Sequence, residues 1–195
     1  MHFGPGPSWQ LSITDPFDLF FALYVREAVG IPGPPDVPVL AAPVPAVPLA
    51  WTEGQRAACG DQWSRWWSSL VTDRWQGSAD TGPDGPDFAA TVGAPELQAA
   101  QRAFFRPALA WRRSSRLGDW SMGPRVSMVP TELVHEIERE IGRRAHPFRY
   151  WIEVLPVREA LVRDLSTTRL LLSESIATDF DALRAVLRPR LEPLA

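Results

Sequence analysis

The chain has 195 residues, 45% hydrophobic and 22% charged, with a formal net charge of -3; this is the composition of a folded domain and argues against a nucleic-acid binder held by overall charge. It contains 20 arginines and neither lysine nor asparagine, the pattern a GC-rich bacterial coding sequence gives, and this removes Schiff-base, pyridoxal-phosphate and phosphate-loop chemistry, N-glycosylation and a Cys-His-Asn nucleophile set. Cys59 is the single cysteine, so intrachain disulfides and cysteine-built zinc sites are excluded.

No basic residue precedes Arg26 and no long apolar run occurs at the start, so a secretory signal is not expected and the chain reads as cytoplasmic. In "WQLSIT" Trp9, Leu11 and Ile13 alternate with polar neighbours, a short strand. "DPFDLFFALYVREAVG" follows, with Asp15 as N-cap, Pro16 at the first helical position and Gly30 as terminator. A helix over 16–29, apolar nearly all round and therefore buried, is expected. Residues 31–48 hold seven prolines among Val, Leu and Ala. Helix and central strand are forbidden there, and extended chain lying along an apolar surface is expected.

Thr52 and Gln55 stand at capping-box spacing ahead of a helix expected over 53–74, with Cys59, Trp63, Trp66 and Leu70 on one face. An acidic loop over 76–87 comes next, then a helix from Pro95 to about Leu117 interrupted at Pro107. Further on, Leu133, Val134, Ile137 and Ile141 form the inward stripe of a helix over 130–141 that Gly142 stops. "FRYWIEVLPV" alternates as a strand, "EALVRDL" and "RLLLSESIA" read as a hairpin turning near 166–168, and Asp179 caps a last helix to about Arg188. The expected fold is α+β: an antiparallel sheet of three to four strands packed with four to six helices. It reads as one domain, residues 1–195, divisible into a helical, proline-rich lobe over 1–118 and an α-β-β-β-α core over 119–195.

His135-Glu136 opens like a zinc-protease helix, but that chemistry needs a second histidine four residues on, and Arg139 stands there. The reading is a solvated charged face. "GDWSMG" misses the nucleophile-elbow spacing, since Gly118 lies three residues before Ser121. Cys59 falls on an apolar helical face and is expected to be buried and inert. No catalytic set, metal site or cofactor is implied.

Two features carry functional expectation. Trp51, Trp63, Trp66, Trp67 and Trp75 cluster on one helix and its flanks, either covered by the preceding proline segment or open to a partner. Arg102, Arg106, Arg113 and Arg116 recur at helical spacing with Arg112 beside them and Phe104, Phe105 and Trp111 between. This row suits acidic protein surfaces or phosphates, unless the loop carrying Asp80, Asp84 and Asp87 neutralises it. The sequence therefore points to a non-enzymatic protein working through protein contacts or self-association, as adaptor, assembly factor or complex subunit, with Trp63, Trp66, Trp67 and the four arginines as contact residues. Nucleic acid and membrane are not expected partners. The alternative is a small-molecule-binding protein or enzyme, with Asp15, Glu136 or Glu153 beside an arginine in a cleft between the N-terminal helices and the sheet.

Overall fold

The computed structural model describes residues 9–45, 49–72, 88, 91–114 and 124–195. In chain order these carry β1 (Gln10–Thr14), α1 (Phe17–Val29), α2 (Glu53–Thr72), α3 (Pro95–Ser114), α4 (Pro124–Ser127), α5 (Val129–Ile141), β2 (Arg149–Leu155), β3 (Val162–Ser166), β4 (Arg169–Ser173), α6 (Glu174–Ala177) and α7 (Phe180–Leu191). The fold is α+β. The chain divides into two compact units, one formed by 1–15, 120–155 and 160–195, the other by 16–119 and 156–159.

The first unit is built on a four-stranded sheet in the order β1-β2-β4-β3. β1 and β4 both run parallel to β2, and only the β3–β4 hairpin is antiparallel. The sheet is thus mixed rather than antiparallel throughout. Composition explains the arrangement: β4 is buried at every position, whereas β3 alternates between exposed and half-buried residues. A continuous apolar run suits an interior strand and an alternating one suits an edge, so β4 takes the centre and β3 the rim.

One sheet face, with Tyr150, Ile152, Val154, Leu170 and Leu172, joins the core against Leu133, Val134 and Ile137 of α5 and Leu183, Leu187 and Leu191 of α7. Ile141, expected on the inward stripe of α5, is 43% exposed. It is the last helical residue before the left-handed Gly142 (φ 69°), at the open end of the helix. Asp179 caps α7 by accepting from the Ala182 N–H at 2.8 Å, and α7 runs three residues beyond Arg188 despite Pro189.

The second unit is centred on α1, whose residues 19–26 are all buried. Its end shows both hydrogen bonds of a Schellman stop: Gly30 N–H to the Glu27 carbonyl at 3.2 Å and Ile31 N–H to the Arg26 carbonyl at 2.9 Å. Gly30 takes φ 73°, the left-handed conformation such a stop needs. The capping box of α2 is also formed, Gln55 N–H donating to Thr52 Oγ1 and Thr52 N–H to Gln55 Oε1. α3 continues through Pro107 rather than breaking there. The carbonyl that proline leaves without a helical donor belongs to Ala103, which is exposed, so water can serve it.

The described part of the proline segment is tied down by hydrogen bonds. Arg26 donates to the Val37 and Pro38 carbonyls at 3.3 and 2.9 Å, and Glu27 accepts from the Leu40 N–H at 2.8 Å. Leu40 also forms an antiparallel bridge with Val157. A Cβ at Gly33 would lie 2.8 Å from the Arg26 guanidinium, so a larger residue there would have to displace that cation. Among the described residues no helix is long and apolar enough to cross a membrane.

Candidate functional site

The tryptophans expected to meet a partner divide sharply. Trp63 and Trp67 are 0% and 5% exposed and stack at 5.7 Å between ring centroids. The Trp63 indole donates to the Ala22 carbonyl at 2.7 Å, and the Arg26 guanidinium lies 5.8 Å from its ring centroid. Both rings belong to the core of this unit rather than to its surface. Trp66 is half-buried, edge-on to Phe21 at 6.1 Å. The buried residues of α2 are Cys59, Trp63 and Trp67, each four on from the last and so about 40° apart round the helix, while Trp66 and Leu70 are half-buried. Trp75 lies outside the described residues.

The aromatic residues of α3 are core as well. Phe104 is buried, Phe105 meets Phe17, Phe21 and Phe88 at centroid distances of 5.7–6.0 Å, and Trp111 stacks on Phe20 at 5.9 Å. Arg112 turns inward over the Phe17 and Phe20 rings at 5.4 and 5.3 Å. It therefore leaves the basic row.

Arg102, Arg106 and Arg113 behave differently. All three are exposed, and their wheel positions fall within about 40° of one another. Arg102 donates only to the Gln98 amide oxygen, at 3.4 Å. Among the described residues no carboxylate pairs with any of the three. Ala99, Ala103 and Ala110, also exposed, form a second row about 60° further round. Leu97, Ala100, Phe104 and Ala108 anchor the opposite side of the helix. Arg116 and the acidic stretch with Asp80, Asp84 and Asp87 lie outside the described residues, as does Ser121.

Two carboxylates of the alternative reading, Glu136 and Glu153, do not converge. Glu136 on α5 pairs with Arg184 and Arg188 of α7. Glu153 pairs with Arg169 at 2.9 Å, both side chains under 10% exposed, on the sheet face opposite Ile152 and Val154 because strand neighbours alternate. Glu136 and Glu153 are thus on opposite sides of the sheet. His135 contacts Glu138 at 3.1 Å, and Glu138 also accepts from the Ala145 N–H at 3.0 Å and the Trp9 indole at 3.4 Å. These bonds, led by that from Ala145, hold the Glu138 carboxyl below the usual carboxylate range against the opposing effect of burial. The cluster fastens β1 to the turn after α5. Among the described residues no group of three or more His, Cys, Asp or Glu side chains could hold a metal ion.

Cys59 is fully buried, and burial pushes its thiol up to about 11, which suits the inert reading. Comparison with protein-family models, with curated proteins and with solved structures gives no match.

Proposed function

We propose that the chain is a non-enzymatic protein that works through protein contacts, as an adaptor, assembly factor or complex subunit, and that the outer face of α3 is where a partner meets it. One observation supports this: three exposed arginines in line on a helix whose opposite side is core, with no carboxylate partner among the described residues. Internal ion pairing is widespread elsewhere. Arg184, Arg188, Arg190 and Arg169 all engage carboxylates, whereas, among the described residues, the three arginines aligned on one face of α3 do not. Arginine is enriched at the centres of interfaces because its planar fork meets carboxylates in two parallel hydrogen bonds.

Site-specific photo-cross-linking in the native host tests this reading. A cross-linker at Ala103, between Arg102 and Arg106, should trap a discrete protein adduct, and one at Ser64, on the exposed side of α2, should not. Equal trapping at both positions, or none at Ala103, would overturn it.

A further inference from the structure

The reading of α3 as a contact face can be taken to the chemistry of what it contacts, and the following rests on that reading. Along the helix Arg102 and Arg106 are about 6 Å apart and Arg106 and Arg113 about 10.5 Å. Their charges face outward in one line, beside a parallel line of alanines. We propose that the partner element is an acidic α-helix of another protein, lying along α3 with its carboxylates on the arginines and its flank on Ala99, Ala103 and Ala110.

Charge and geometry both favour this occupant. A chain of net charge -3 repels extended polyanions, so the three arginines act as a local complement to a few carboxylates rather than as a track for a phosphate backbone. A helix repeats the row's own separations at residue spacings of four and seven, both on one face. A strand rises about 3.3 Å per residue and would need steps of about two and three residues, of which the odd one points away. Alanine side chains beside the row let a second helix axis come within about 8 Å, at the close end of helix packing, which bulkier residues would prevent. The large buried side chains of α3, Leu97 and Phe104, are committed to the core and only small alanines stand exposed beside the arginines, so electrostatic complementarity sets partner choice and speed of encounter.

The test uses the full-length chain and a fluorescent, capped peptide of alanine and glutamate, with Glu at spacings of four and seven on one face. Its control has the same composition with Glu distributed round the helix. Anisotropy at low salt should show the matched peptide binding at least tenfold more tightly than the control. Arg106→Glu should remove that binding, and Arg139→Glu, an exposed arginine on α5, should keep it. Equal binding of matched and control peptides, both abolished by Arg106→Glu, would overturn the helical register while leaving a protein-contact face standing. Polyphosphate binding as tightly as the matched peptide would overturn the partner class. Salt-sensitive self-association abolished by Arg106→Glu would assign the face to a second copy of this chain. Binding that appears only when Asp80, Asp84 and Asp87 are changed to Ser would assign it to the chain's own acidic segment.

Discussion

Single residues carry sharp expectations because several polar groups are buried with defined partners. The Glu153–Arg169 pair lies almost wholly out of water, where removing one member strands the other charge. Glu153→Gln should lower unfolding free energy by about 3–5 kcal/mol in urea melts. Replacing both together, Glu153→Leu with Arg169→Met, should recover most of that loss; a double variant as unstable as the single would refute a pairing role. Cys59 should resist Ellman's reagent at pH 8 in the folded chain, since burial keeps its thiol protonated, and react fully once denatured. Glu138 gives the pH dependence. Its folded-state carboxyl lies below the ordinary range, so its stabilising contribution is fully present above the unfolded value, about 4.3, and fades as pH falls through the lower folded value. The melting-temperature difference between wild type and Glu138→Gln should therefore hold at neutral pH and shrink below about pH 4.

At the scale of elements, burial separates side chains that sequence spacing had grouped together. Trp63→Ala removes a buried ring together with its hydrogen bond to Ala22 and should cost about 3–5 kcal/mol. Trp66→Ala, at the margin, should cost nearer 1 kcal/mol. Equal losses in thermal melts would contradict the division of α2 into core row and flank. Local chemistry made the helices legible: the Thr52–Gln55 box, the Gly30 and Gly142 stops and the Asp179 cap were all readable from residue type and spacing alone. Strand pairing was not, because which strands adjoin depends on burial in three dimensions. The signal was present in the unbroken apolar run of β4 against the alternation of β3. Nor could spacing show that Arg112 turns inward over two rings while Arg113, the next residue, stays outside. A step of about 100° decides that, and the rings it meets lie some ninety residues away in sequence.

Across the whole molecule, some cations are used internally and others are left facing solvent. Arg26, Arg112 and Arg169 are absorbed into the fold on carbonyls, rings and a carboxylate; the row on α3 is not. The most direct test replaces Arg102 and Arg106 with Glu in the full-length chain and follows melting temperature and native mass together. Exposed charges without ion pairs contribute little to stability. The variant should thus melt within about 2 °C of wild type, since surface changes usually stay within about 0.5 kcal/mol. If α3 is the contact face as proposed, wild type should carry a host protein in native mass spectra and the variant should not. A variant that keeps its partner, or one whose melting temperature falls by many degrees, would contradict the assignment of α3 as the contact face.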